Sequence, residues 1–219
     1  MKEIHIIDKI ELSPNGLTVK GSKQEVHLRQ GDLDGACGVY SMMMCLVIEK
    51  IVKKDFITNV PESLKRNTSY GRLVSHFLEK KGMVINGYEG TKELAAELQS
   101  AFKKKVDVQY FDEGNILEII INYLKENHPV EIKFNRIRTY GHFVVVIGYR
   151  EEENFTDLYC LDPGFPMGKA QMWNNVLRIN TTSSAMYNGL NMQEDRKINV
   201  DEVMVCIKRP TKYKKMSDV

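Results

Sequence analysis

The chain of 219 residues lacks the long apolar runs that a membrane-spanning helix requires. No stretch reaches the roughly 18 consecutive apolar residues that cross a bilayer. The first residues, 1–5, also lack the apolar centre of a signal peptide. We therefore expect a protein that is made and kept in the cytoplasm, with no membrane among its partners.

Cysteine is scarce, and its spacing is not typical of a metal site. No two cysteines form a CxxC pair, and no histidine stands at a matching ligand spacing, so a zinc site is not expected. A disulfide framework is not expected in a reducing compartment either. The thiols must therefore serve packing or chemistry, and they belong to Cys37, Cys45, Cys160 and Cys206.

Net charge is also small, at +2, which gives no reason to expect nucleic acid as a partner. Two local lysine clusters, at residues 103–105 and 212–215, are interpreted as solvated surface or tail. With 15 glycines, 6 prolines and 42% hydrophobic residues, the composition is that of an ordinary folded protein and not of a disordered one.

The apolar pattern predicts helices in the first half of the chain and strands in the second. The predicted helices cover residues 37–53, 63–81, 91–104 (capped by Thr91) and 116–126, and the first is apolar on every face. The predicted strands cover residues 4–7, 106–111, 130–134, 142–150, 158–162 and 203–208. This segregation predicts a single α+β domain over residues 1–219. Its helical part, about 37–127, would pack on an antiparallel sheet at about 128–210.

A polar, glycine-containing loop runs directly into the first predicted helix, and Cys37 stands at the junction. Unpaired N–H groups and the positive dipole end of a helix start stabilise a thiolate and lower its pKa. The same N–H groups can hold the oxyanion that forms when a thiolate attacks a carbonyl. Gly35 and Gly38 would allow a substrate backbone to approach closely. The alternative is that Cys37 is a small packing residue, as we expect for the other three cysteines.

A cysteine nucleophile needs a base, and His142 is the best candidate among the five histidines. It stands at the first position of a strongly apolar predicted strand, and the next predicted strand ends at Asp162. A hairpin that turns at Glu152 would place His142 directly opposite Asp162, with Cβ atoms about 5 Å apart. A carboxylate can hold an imidazole at that distance. The alternatives are an ordinary buried histidine and an acid that belongs only to a turn.

These residues, in this order, resemble the papain-like cysteine peptidases, and most closely the bacteriocin-processing branch that acts on double-glycine leaders. The matching segments are Gln30, Cys37-Gly38, Gly141-His142 with the apolar run to Tyr149, and Leu161-Asp162-Pro163-Gly164. The resemblance implies a helical lobe and a sheet lobe with a cleft between them. It also implies a triad of Cys37, His142 and Asp162.

The resemblance further implies that Gln30 donates its side-chain amide to the oxyanion, together with the backbone N–H of Cys37. Gln30 stands seven residues before Cys37, one more than is usual in the family. Ala36 precedes the nucleophile, where the bacteriocin branch usually has Asp. The nearby acids Asp32 and Asp34 either favour basic substrates or cap turns.

The implied activity is hydrolysis of peptide bonds in a protein or peptide substrate, with no metal or organic cofactor and with a possible regulatory partner protein. One alternative is an acyltransferase or transglutaminase-like enzyme on the same scaffold. Another is a catalytically silent papain-like module that binds peptides. Trp173 either shields the His142–Asp162 pair or packs in the fold, and residues 180–192 form either a substrate loop or a connection.

Overall fold

The computed structural model describes residues 2–31, 34–79, 87–137 and 141–210. Its helices are α1 (Cys37–Ile48), α2 (Lys54–Thr58), α3 (Ser69–Phe77), α4 (Thr91–Phe102) and α5 (Ile116–Lys125). Its strands are β1 (His5–Ile6), β2 (Ile10–Ser13), β3 (Gly16–Val19), β4 (Val106–Phe111), β5 (Val130–Arg136), β6 (His142–Glu151), β7 (Phe155–Leu161), β8 (Asn175–Asn180), β9 (Gly189–Asn191) and β10 (Arg196–Lys208).

Eight of these strands form one antiparallel sheet, and β2 and β3 form a separate hairpin. The pairing runs from β5 through β6, β7, β8, β9 and β10 and returns to β5, so six strands close into a ring. The remaining two, β1 and β4, pair with β6 and β10. The predicted α+β class with an antiparallel sheet is confirmed, although β1 and β4 join the sheet from the first half of the chain.

Helix α1 is buried on nearly every side, as its sequence predicts, with 10 of its 12 residues buried. It packs against β5, β6 and β10 and against α4. It ends at Ile48, earlier than the predicted residue 53, because Lys50 adopts a left-handed backbone with φ of 54° that cannot continue a helix.

Helix α3 begins at another residue than predicted, and helix α4 begins at the predicted residue but with another cap. Helix α3 begins only at Ser69, after Thr68, whose side chain accepts the N–H of Gly71. Helix α4 begins after Gly90, so the predicted cap by Thr91 is wrong. The N–H of Thr91 instead donates to the Glu202 carboxylate at 2.6 Å, and a side chain from β10 therefore does the work of a local cap.

The C-terminal third contains more strand than predicted. The sequence predicts neither β8 nor β9, and β9 lies within residues 180–192, for which the sequence allows a substrate loop or a connection. Strand β10 begins at Arg196 and pairs in turn with β9, β5 and β4. Within the described ranges, no helix combines the length and apolar character that crossing a membrane would require.

Candidate active site

Cys37 is the first residue of α1, as its position in the sequence predicts. The loop before it is held by Asp34, whose carboxylate accepts the N–H groups of Gly31 at 2.8 Å and Ala36 at 3.2 Å. These bonds favour the turn-capping role for Asp34, while Asp32 lies outside the described residues. The loop before α1 is therefore held in place, and the thiol of Cys37 lies in the first turn of the helix.

The surroundings of Cys37 favour its thiolate. Burial opposes ionisation, but a hydrogen bond from His142, the charge of that imidazole, and the backbone N–H groups of Phe143 and Gly38 together outweigh it. The pKa of Cys37 is therefore lowered from its usual value. Burial instead raises the pKa of the other three thiols well above the usual range, which agrees with packing roles for Cys45, Cys160 and Cys206.

His142 begins β6 and is 8% exposed. Its Nε2 atom lies 2.7 Å from Oδ1 of Asp162, which leaves Nδ1 for Cys37. The ring meets Phe134 edge to face, with centroids 5.5 Å apart, and this contact restricts its rotation. Burial lowers the pKa of His142, but hydrogen bonds to Asp162 and Cys37 and the charges of both outweigh burial and raise the pKa to about 9. At neutral pH the imidazole and the thiol therefore favour an imidazolium–thiolate pair.

The hairpin that carries His142 and Asp162 has a different register from the one predicted. Val145 pairs with Leu161, which carries Asp162 to the position opposite Val144 rather than opposite His142. The turn lies later than Glu152, and a bulge near the middle of β6 shifts the pairing again. The predicted direct opposition is wrong. The contact still forms because a shift of two residues keeps both side chains on one face.

Asp162 is fully buried and accepts hydrogen bonds at both carboxylate oxygens. Oδ1 accepts from His142 and from the N–H of Gly164 at 2.8 Å, and Oδ2 accepts from Nδ2 of Asn175 at 2.8 Å. Burial opposes ionisation, but the hydrogen bond and charge of His142, with the other two donors, lower the pKa of Asp162. The carboxylate is therefore held in its charged form beside the imidazole.

The backbone of Asp162 is fixed by a buried amide that sequence reasoning missed. Asn174 accepts the N–H of Asp162 at 2.7 Å and donates to the carbonyls of Asp162 at 2.8 Å and Phe165 at 2.9 Å. His27 adds Nε2 at 3.0 Å from the Asp162 carbonyl oxygen. Burial lowers the pKa of His27, in keeping with a neutral ring. The sequence signal for this cluster is the pair Asn174-Asn175 where β8 begins. Amides that are buried at a strand start need hydrogen-bond partners, and the pair therefore indicates a polar cluster.

Gln30 reaches the site through its main chain. Its N–H donates to the carbonyl of Pro163 at 3.0 Å, beside the turn that follows Asp162. Its side-chain Oε1 is buried and has no hydrogen-bond partner among the residues described. The proximity to Pro163 agrees with a place at the site, and the part that Gln30 plays toward an oxyanion stays a prediction.

Two further side chains near the site are Glu131, which the sequence does not single out, and Trp173, for which the sequence leaves two roles open. Glu131, on β5, is fully buried, and neither of its carboxylate oxygens has a partner in the described part of the chain. Burial, with a smaller contribution from the charge of Cys37, raises the pKa of Glu131 well above its usual value, so its neutral form is favoured. Trp173 packs against Tyr159 with the ring centroids 4.3 Å apart and the rings tilted by 44°, which favours packing over shielding of the His142–Asp162 pair.

Comparison with known proteins gives one family. A family model described as Peptidase_C39 like matches residues 17–194, a range that includes all four residues predicted for the site. A search of the curated proteins finds no match.

Proposed function

This chain belongs to the Peptidase_C39 like family, and from that premise we propose that it hydrolyses peptide bonds as a cysteine peptidase. The observation that carries the assignment of roles is the 2.7 Å contact between His142 and Asp162, made by the same imidazole that bonds to Cys37 at the start of α1. Nucleophile, base and orienting acid are the three parts that this chemistry needs.

In the first half of the reaction, the Cys37 thiolate attacks the carbonyl carbon of the scissile peptide bond. The N–H groups at the start of α1 and the side-chain amide of Gln30 stabilise the resulting oxyanion, and each such donor is worth about 3 kcal/mol. The His142 imidazolium then gives its proton to the leaving amine, and a thioester to Cys37 remains. Asp162 keeps the His142 ring oriented and stabilises the imidazolium throughout.

In the second half, His142 is neutral and removes a proton from water, which attacks the thioester. The carboxylic acid product leaves, and the thiolate–imidazolium pair forms again. An amine in place of water would give acyl transfer, which is the alternative on the same scaffold, but no observation favours it. We place the chemistry on a papain-like arrangement related to the bacteriocin-processing enzymes. The motifs around Cys37 and His142 support this placement.

Alkylation of cysteine as a function of pH tests the proposal without a known substrate. Iodoacetamide labelling between about pH 4 and 9, located by mass spectrometry, should modify Cys37 selectively well below the usual thiol pKa of about 8.5. His142→Ala should abolish that selectivity, because it removes the imidazole, whose hydrogen bond and charge lower the pKa of the Cys37 thiol. His76→Ala, a change on α3 outside the site, is the matched control and should behave as wild type.

The proposal fails if Cys37 reacts no faster than Cys45 or Cys206, or if His142→Ala leaves its rate unchanged. A catalytically silent peptide-binding module would then be the better assignment. Cleavage of a labelled denatured protein, with and without an added amine, would separate hydrolysis from acyl transfer.

A further inference from the structure

A concave pocket of about 640 Å³ lies at the end of α1 opposite to Cys37. Helix α1 has 12 residues, so the pocket is about 18 Å from the start of the helix along its axis. Four segments of the chain meet there: the residues after α1, the start of α3 at Tyr70, the residues after α4, and the end of β10 with the residues after it. The basic residues that line it are Lys50, Lys103, Lys104, Lys105, Lys208 and Arg209.

None of the described residues that line this pocket is acidic. Among the described residues, Arg209 pairs with Asp107 at 2.9 Å, and the five lysines make no ion pair. Because the whole chain carries a net charge of only +2, six basic residues around one pocket are a local excess of positive charge.

Two of the ammonium groups are held in position. Nζ of Lys50 donates to the carbonyl of Lys20 at 3.0 Å, and Nζ of Lys208 donates to the carbonyl of Lys50 at 2.9 Å. These bonds use one of the three donors of each ammonium group, and the other donors make no hydrogen bond with the described residues. Fixed cations lose less entropy on binding an anion than free lysine side chains do.

The helix ends explain part of this arrangement. Helices α1 and α4 both end at the pocket, and cations near a helix C-terminus are favourable. Each helix end carries roughly half a negative charge, which a single lysine would match. The five lysines that make no ion pair with the described residues exceed that requirement several-fold.

We propose that this pocket binds a compact polyanion bearing several phosphate groups, either a free oligophosphate or the phosphorylated head group of a lipid. Lysine ammonium groups are compact point charges that bind phosphate, and cations from three segments can meet one multivalent anion together. The volume is within the roughly 300–1,000 Å³ typical of small-molecule sites. The buried Ile51 and the partly buried Tyr70 supply an apolar wall. The site is independent of the proposed peptidase chemistry.

Isothermal titration calorimetry of the full chain with tripolyphosphate, at constant ionic strength, tests this site. We expect one anion to bind per chain. The triple variant Lys103→Gln, Lys104→Gln, Lys105→Gln should weaken binding about tenfold or more, since it removes three of the six cations that line the pocket. The matched control, Lys23→Gln, Lys92→Gln, Lys125→Gln, changes the net charge equally at exposed positions outside the pocket and should bind as wild type.

Two further arms distinguish the sources of the anion and the general effect of charge. Vesicles with and without a multiply phosphorylated inositol lipid show whether a head group presented on a membrane binds as well as the free oligophosphate. The proposal is overturned if tripolyphosphate does not bind, or if both triple variants weaken binding equally. Binding of a duplex DNA oligonucleotide alone, without tripolyphosphate, would also overturn it and point to a nucleic-acid surface.

Discussion

The buried amide of Asn175 is the residue-scale feature on which the proposed acid–base pair depends most directly. Its Nδ2 donates to Oδ2 of Asp162 at 2.8 Å, where water has no access. Without this donor the Asp162 carboxylate loses one of the bonds that fix its orientation, so its hydrogen bond to His142 weakens and the imidazolium is less stabilised. We therefore expect Asn175→Ala to lower the pKa of His142 from about 9 and to raise that of Cys37.

The rate of Cys37 alkylation as a function of pH measures this effect. A hydrogen bond to a charged group is worth about 1.5–3 kcal/mol, so turnover in Asn175→Ala should fall by about tenfold to a hundredfold. Asn191→Ala is the control: Asn191 is equally buried but bonds to Gln193 and Glu194. It should reduce stability and leave the pH profile unchanged. Equal profiles for the two variants would exclude a positioning role for Asn175.

Glu131 gives a second residue-scale prediction, which concerns stability. The unfolded chain loses this proton near the ordinary glutamate pKa of about 4.3, whereas the folded pKa is well above it. The folded state therefore binds more protons than the unfolded state above that pH, so the contribution of Glu131 to stability falls as pH rises.

Glu131→Met removes this penalty and a pair of unpartnered buried oxygens. The variant should be more stable than wild type by about 1–3 kcal/mol at pH 8, with a smaller gain at pH 5. Urea denaturation at both pH values measures the difference. The exposed Glu113→Met serves as the control and should change stability little at either pH. A loss of stability at pH 8 would contradict the prediction.

At the scale of elements, the hairpin of β6 and β7 sets the geometry of the site. Its pairing shifts between Val146 and Gly148, and β1 packs on the same part of β6. A Cβ at Gly148 would lie 2.3 Å from the carbonyl oxygen of His5 and 3.1 Å from the Cα of Ile6. Because both are backbone atoms, β1 would have to move.

We therefore expect Gly148→Ala to destabilise the fold by about 2–4 kcal/mol, through overpacking against a paired strand. Thermal and urea unfolding measure the loss. Gly168→Ala is the control, because Gly168 is exposed and its nearest neighbour is the flexible side chain of Gln171. Its stability should remain within about 0.5 kcal/mol of wild type. Comparable stability of the two variants would show that β1 can move away from residue 148 without a loss in the free energy of unfolding.

The helices and long strands could be predicted from the sequence because their apolar residues repeat with a regular period. Helix α5 and strands β4 and β6 begin at the predicted residues. Strand β9 could not be predicted, since its three residues, Gly-Leu-Asn, give no alternation to detect. The register of β6 and β7 depends on turn length and on a bulge, neither of which the hydrophobic pattern reveals.

The site was predictable to the extent that local sequence marks it. Cys37 at a helix start and His142 at a strand start can be recognised from their neighbours alone. The roles of Asn174, Asn175 and His27 could not be recognised, because they depend on hydrogen bonds to Asp162 that form only in the folded chain.

At the scale of the whole molecule, closure of the sheet brings distant segments together behind α1. Strand β10, at the end of the described chain, pairs with β4, β5 and β9. The N-terminal segment reaches the same core through β1. One buried acid, Glu49, directly after α1, joins the N-terminal segment to the residues just before β5. Its Oε1 accepts from Nζ of Lys9 at 2.6 Å and lies 2.8 Å from Nδ1 of His128.

Replacing Glu49 should therefore destabilise the whole molecule rather than one element. Its side chain is only 4% exposed, so Glu49→Gln would leave the Lys9 ammonium partly buried without its counter-charge. We expect a loss of about 1–3 kcal/mol in the free energy of unfolding, measured in urea at neutral pH. Glu79→Gln breaks the exposed pair with Arg66, whose side chains are 41% and 46% exposed, and should cost less than about 0.5 kcal/mol. If the two losses were equal, the buried Glu49 pair would contribute no more stability than an exposed ion pair. The N-terminal segment, α1 and β5 would then be held together by apolar packing alone.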